Sequence, residues 1–188
     1  MKKIEFVIMF FVFAAILFTN WCAIHYTIPV TPVIKTDTTI VIIDGTDYNA
    51  AVNYIKQCEG FESKPYQCGG YYFVGYGHLI NKMDSNIVYT EYQATELLEY
   101  DLQHLIKYVS NLYNLTGAKA LAVAMLFYNV SHKSIFSSRL HSELLKPDDK
   151  RDYEVIKSNW INLCKYNNKP NQKLIERRKF ELRLFLKN

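Results

Sequence analysis

Five of the seven glycines fall within one stretch, Cys58-Glu59-Gly60-Phe61-Glu62-Ser63-Lys64-Pro65-Tyr66-Gln67-Cys68-Gly69-Gly70-Tyr71-Tyr72-Phe73-Val74-Gly75-Tyr76-Gly77-His78. Glycine takes positive φ and close backbone approach at low cost, so Gly-Gly, then Tyr-Tyr-Phe-Val, then Gly-Tyr-Gly predicts short strands joined by tight turns. Just ahead of them Glu59 is expected at the end of a helix, with Gly60 as the stop. A carboxylic acid at a helix end, facing a small glycine-rich sheet, suits a general acid at the rim of a cleft.

The rest of the chain reads as helices. Asp47 is expected to cap a helix running to Cys58, with Ala51, Val52, Ile55 and Cys58 inward. Thr90-Glu91-Tyr92-Gln93 has the form of a capping box. It opens a long helix whose Ala94, Leu97, Leu98, Leu102, Leu105, Ile106, Val109 and Leu112 recur every three to four residues. Gly117 to Asn129 is apolar nearly all round, which predicts a helix buried at the centre of the domain. Ser137 or Ser138 should start a helix ending before Pro147, Asp148 or Asp149 the next, and Asn171 a last one with Leu174, Arg178, Leu182 and Phe185 in its stripe. The fold class expected is α+β, mainly helical: a small antiparallel sheet and a helical bundle.

The N-terminus is different in kind. Met1-Lys2-Lys3 precedes an unbroken apolar run from Phe6 to Phe18. A positive start before a hydrophobic core predicts an export signal, and extension to Ile24 reaches a length able to span a bilayer. Residues 1–24 are therefore read as a signal anchor or signal peptide, 25–46 as a Pro- and Thr-containing linker with a short strand at Thr38 to Ile43, and 47–188 as the folded domain. The expected location is the inner membrane facing the periplasm, or secretion to the cell wall.

Charge is split along the chain. From Lys133 onward fourteen Lys and Arg face seven Asp and Glu, a net +7, whereas residues 1–132 carry eight against eleven, a net −3. A basic C-terminal portion fits an anionic polymer or surface, while no nucleic-acid-binding signature accompanies it. The four cysteines (Cys22, Cys58, Cys68, Cys164) lack zinc-ligand spacing, so no metal and no cofactor is expected.

Glu59-Gly60-Phe61, Pro65-Tyr66 and Gly70 to His78 together resemble the catalytic signature of phage-type lysozymes, the endolysins of glycoside hydrolase family 24. The likeness continues through Thr90 to Asp101, through Ala-Met-Leu-Phe-Tyr-Asn-Val-Ser and Phe-Ser-Ser between Leu121 and Ser138, and through Trp160 and Leu174-Ile-Glu-Arg-Arg-Lys-Phe-Glu. It covers Asp47 to Leu186, and the N-terminal segment resembles that of the membrane-tethered branch. The resemblance implies a monomer that hydrolyses the β-1,4 bond between N-acetylmuramic acid and N-acetylglucosamine in peptidoglycan and lyses a bacterial host. The alternative it leaves open is a catalytically impaired, peptidoglycan-binding protein on the same fold.

Such a reaction needs an acid to protonate the glycosidic oxygen and a second group to stabilise charge or activate a nucleophile. The resemblance gives Glu59 the first role, in a partly desolvated site that raises its pKa. The family's Asp, nine positions on, is Cys68 here, and the place of its Thr holds Phe73. Tyr72 and Asn129 are expected to touch substrate, Asn129 through an N-acetyl group or else as a plain helix C-cap. His78 is expected to pair with Asp101 in a supporting role. Arg178, in the apolar stripe, needs a carboxylate, with Glu59 and Glu181 as candidates, or snorkels outward. Tethered relatives also imply a thiol exchange in which Cys22 attacks a Cys58–Cys68 bridge.

Overall fold

A computed structural model describes residues 43–81, 87–166 and 169–187. The segment read as an export signal, Cys22 and nearly all of the stretch read as a linker lie outside the described residues. Among those described, no helix is long and apolar enough to cross a membrane.

Helix α1 (Gly45–Glu59) is followed by a three-stranded antiparallel sheet, β1 (Glu62–Cys68), β2 (Tyr71–Gly75) and β3 (His78–Ile80), in the order β1-β2-β3. Then come α2 (Glu91–Tyr113), α3 (Gly117–Asn129), α4 (His132–Phe136), α5 (Arg139–Leu144) and α6 (Tyr153–Asn162). A two-stranded ribbon, β4 (Lys165–Tyr166) and β5 (Lys169–Pro170), leads into α7 (Gln172–Phe185). This is the mainly helical α+β architecture expected, with the ribbon as an addition that the short Lys-Tyr and Lys-Pro pairs gave no reason to anticipate.

Helix α3 is the centre. Every residue from Ala120 to Phe127 is buried, and α2 and α7 both pack against it. A helix with no polar face has nowhere else to go, and each large side chain buried there stabilises by roughly 1.5–3 kcal/mol. The long helix α2 starts with the full capping box: Thr90 Oγ1 accepts from Gln93 N at 3.2 Å, and Thr90 N donates to Gln93 Oε1 at 2.9 Å. It ends at Asn114, in left-handed conformation at φ 52°.

Two caps fall elsewhere than expected. Asp44, not Asp47, starts α1, accepting from Thr46 N and Asp47 N, while Asp47 is held by Lys187 at 2.8 Å. Helix α1 thus takes in Gly45 and Thr46, and Ile43 packs against the core. Asp152 starts α6, because Asp148 sits in a 3-10 turn (Asp148–Lys150) with its carboxylate taken by Lys119 at 2.7 Å and Arg151 at 2.6 Å. In both places the rival aspartate is drawn off by a cation that is distant in sequence or in the neighbouring turn.

The sheet is fixed to α2 at two points. His78 Nδ1 and Asp101 Oδ2 lie 2.8 Å apart. Tyr76 Oη donates to Glu91 Oε1 at 2.8 Å, and Lys56 Nζ lies 3.4 Å from the same carboxylate oxygen. This second contact gathers α1, the turn after β2 and the start of α2 in one cluster.

Candidate active site

Glu59 is the last residue of α1, and Gly60 ends the helix at φ 75°, a conformation that suits glycine. The chain turns there directly into β1, so the Glu59 side chain lies between helix end and sheet and is only 8% exposed. Its counter-ion comes from α7: Arg177 Nη1 donates to Glu59 Oε1 at 2.6 Å.

The neighbouring arginine makes a second clamp. Arg178 is fully buried, donates through Nη2 to Asn129 Oδ1 and lies 3.0 Å from Glu181 Oε2 through Nη1. Glu181 also accepts from Trp160 Nε1 at 2.9 Å and from Arg177 Nε at 3.3 Å. Two carboxylates and two guanidiniums thus balance charge in an otherwise apolar interior, where an unpaired ion would be costly. Burial acts against the charge on Arg177, but Glu59 and then Glu181 outweigh it and push its pKa up. Burial wins at Arg178, which is pushed down to about 10 although Glu181 opposes the shift.

Each clamp engages one atom of its partner and leaves the other. No hydrogen bond to Glu59 Oε2 or Asn129 Nδ2 is formed among the described residues, yet neither atom is sealed from solvent. The acid thus offers one carboxylate oxygen outward, and the amide offers its two N–H donors.

Two phenols feel the charge of Glu59. Tyr66 and Tyr128 are both pushed above the usual phenol value, first by burial and in part by the negative charge of Glu59. Tyr128 Oη donates to the Tyr76 carbonyl at 2.8 Å. Tyr54 stacks on Phe180 at 4.0 Å and is pushed up to about 12 by burial and by Cys58.

The sheet sorts the remaining residues by face. Tyr66 pairs with Phe73, Cys68 with Tyr71, and Gln67 with Tyr72. Residues directly opposite share a face, so Tyr66, Cys68 and Phe73 lie together on one face of the sheet. Tyr72 projects from the other face, with its partner Ile80. Phe73 is 3% exposed and stacks on Tyr66 at 5.8 Å. It has no group able to hold water or a proton, so it forms a wall and not a reactive member of the site. Cys68 is 8% exposed at the end of β1.

Three open alternatives narrow. Arg178 meets Glu181 and not Glu59, and it does not snorkel. Asn129 is not a C-cap, since α3 ends on Val130, whose N–H reaches the Leu126 carbonyl at 2.8 Å. No disulfide joins Cys58, Cys68 or Cys164 to one another. The residue that sequence reasoning passed over is Arg177. It stands three positions after Leu174 and four before Glu181, so helical spacing placed it beside the same stripe.

Comparisons with known proteins bear on the family and the fold. A family model described as phage lysozyme matches residues 56–181, from the last turn of α1 to α7. An endolysin of Bacillus phage B103 is 29% identical over 142 residues, 73% of this chain and 52% of that protein. The chain thus spans about half the length of this curated relative. Among solved structures, the muramidase domain of SpmX from Asticaccaulis excentricus is 26% identical with a TM-score of 0.61, covering 74% of this chain and 96% of that one. A point mutant of P22 lysozyme gives 23% and 0.58, covering 77% and 98%, a likeness of fold. By sequence and by architecture, then, the chain belongs to the phage lysozyme family.

Proposed function

We propose that this protein cleaves the β-1,4 bond between N-acetylmuramic acid and N-acetylglucosamine in peptidoglycan, with Glu59 as the general acid. The observation that carries the reading is the Glu59 carboxylate, buried at a helix end, fixed by Arg177 through Oε1 and open through Oε2. Protonated at Oε2, it delivers its proton to the glycosidic oxygen as the bond to the anomeric carbon breaks. Water then adds to that carbon, and Glu59, now a carboxylate, recovers a proton. Positive charge developing at the anomeric carbon requires a second group on the opposite side of the sugar. Cys68 is the residue in the family's position for it, on the sheet face shared with Tyr66. The basic portion after Lys133 supports attraction to an anionic wall polymer. Export by residues 1–24, with the domain outside the membrane and acting as a monomer in host lysis, completes the proposal.

A second reading has one observation in its favour. Cys68 and Phe73 replace a carboxylate and a hydroxyl and are 8% and 3% exposed, which suits a lysozyme-like protein that holds glycan and cuts it poorly. Turbidity loss of purified peptidoglycan separates the two, run with wild type, Glu59→Gln and Cys68→Ser under reducing and oxidising conditions. Lysis abolished by Glu59→Gln is expected, and lysis by that variant at the wild-type rate would refute the acid. Inactivity of wild type in every condition, with retained sedimentation on peptidoglycan, would favour the binder.

A further inference from the structure

We propose that Tyr128 is a positioning residue: by donating to the Tyr76 carbonyl, its hydroxyl sets the spacing between Glu59 and the sheet face that carries Cys68. The inference rests on the glycan-cleaving reading above and adds the residue that keeps acid and sheet in step.

Tyr128 stands one place before the end of α3, and its side chain crosses to the turn that joins β2 to β3. Its Oη donates to the Tyr76 carbonyl at 2.8 Å. A Cβ built on Gly77 would lie 4.0 Å from the same oxygen, so the phenol packs directly on the turn. A phenol has one proton to give, and here it is committed. Burial first, and then the charges of Asp101 and Glu59, push the Tyr128 pKa up. The hydroxyl thus keeps its proton, and the tie does not titrate near neutral pH.

The turn it grips is where the sheet is fastened. Tyr76 is buried, and its own Oη donates to Glu91 at the start of α2. His78, two residues on, pairs with Asp101 farther along α2. Tyr128 adds a tie to α3, and α3 is part of the mounting of the acid. The next residue, Asn129, is gripped by Arg178, and Arg178 shares Glu181 with Arg177, which holds Glu59. From the turn, β2 runs back to Phe73, and the strand register carries its position to Tyr66 and Cys68 on β1. Without the hydroxyl the buried Tyr76 carbonyl loses this donor, and an acceptor left unmade draws the turn toward another partner. Any such shift moves the sheet face against the acid. A misplacement of about 1 Å between reacting groups costs on the order of a hundredfold in rate.

The test compares the full-length protein with its Tyr128→Phe variant, which keeps the ring and lacks only the tie. Tyr108→Phe is the control, since it removes another half-buried phenol hydroxyl, on a ring that packs by Phe127 and His132. Release of reducing ends from solubilised peptidoglycan gives kcat and KM, with kcat expressed per folded molecule from urea unfolding of the same preparation. The expected result for Tyr128→Phe is a fall in kcat of about ten- to hundredfold, with KM within about threefold of wild type. Tyr108→Phe should match wild type. In the Glu59→Gln background Tyr128→Phe should leave co-sedimentation with peptidoglycan unaltered, because the spacing governs the chemistry and not the hold on the glycan. A tie that serves only the fold would lower the folded fraction and leave kcat per folded molecule at the wild-type level. That outcome overturns the inference while the glycan reading stands. An equal fall in the Tyr108→Phe control, or weaker binding with kcat preserved, overturns it as well. Wild type that releases no reducing ends overturns both.

Discussion

Arg177 Nη1 donates to Glu59 Oε1 at 2.6 Å and joins α7 to the end of α1 across 118 residues of sequence. Both side chains are nearly sealed, at 4% and 8% exposure, so the pair is not the screened surface kind that contributes little. Arg177 also reaches Glu181, whose other cation, Arg178, holds Asn129. The acid is thus mounted on the same buried network that anchors the last helix to the core. This ties the position of the site to the stability of the C-terminal part of the fold.

Replacing Arg177 by Met should therefore destabilise the protein by about 3–5 kcal/mol, because it strands Glu59 in the interior and leaves Glu181 to Arg178 alone. Glu59→Gln should cost less, since Arg177 keeps Glu181. Adding Glu59→Gln to Arg177→Met should recover part of the loss, giving a coupling energy in a double-mutant cycle of urea unfolding. Strict additivity of the two changes would show that the pair contributes no mutual stabilisation.

The parts of this arrangement that were legible in the sequence are those set by local chemistry. Gly60 at φ 75° ends α1 behind Glu59, Thr90 and Gln93 form the box that starts α2, and the all-apolar run from Ala120 to Phe127 lies at the centre. Where two like residues competed, local pattern did not decide. Asp44 and Asp152 became caps because Asp47 and Asp148 were claimed by Lys187, Lys119 and Arg151. Arg177 and Arg178 border the same stripe, and only the packing of α7 against α1 and α3 assigns one to Glu59 and the other to Asn129. The face that Tyr72 takes is not legible in the sequence for a related reason. Its face of the sheet depends on the β1–β2 register, and an error of one residue reverses it.

Gly75 offers a sharper test of how the sheet is seated on α2. It has φ 65°, and a Cβ built on it would lie 2.7 Å from the Ala94 Cβ, closer than two methyl groups can approach. Gly75→Ala should cost about 1–3 kcal/mol from the clash, beyond a left-handed backbone penalty of about 1–2 kcal/mol. Pairing it with Ala94→Gly removes the clash and leaves the backbone penalty, to which the new helix glycine adds about 1 kcal/mol. The double variant is expected to be no less stable than Gly75→Ala, as read from urea midpoints. If Ala94→Gly instead adds its full cost to that of Gly75→Ala, the close contact is not what constrains position 75.

A pH effect is expected away from the acid, at His141. Tyr113 Oη lies 2.8 Å from its Nδ1, and the Phe136 ring lies 5.0 Å away. Burial lowers the His141 pKa from its ordinary 6.5, so the folded protein resists a proton that the unfolded chain accepts. Between the lowered value and 6.5 the unfolded state holds more protons, and stability therefore rises with pH through that window. The stabilisation is fully present above 6.5 and is lost as pH falls through the folded-state value. Glu91 and Asp148 have pKa values lowered by hydrogen bonds to Tyr76 and Lys119 respectively, from 4.5 and 3.8, so their losses come at lower pH and do not obscure the window. Urea midpoints taken between about pH 7.5 and 5.5, on either side of an ordinary histidine, should fall for wild type. His141→Gln, whose amide oxygen can still accept from Tyr113, should flatten that slope. An equal slope in both proteins would place the titration at another group.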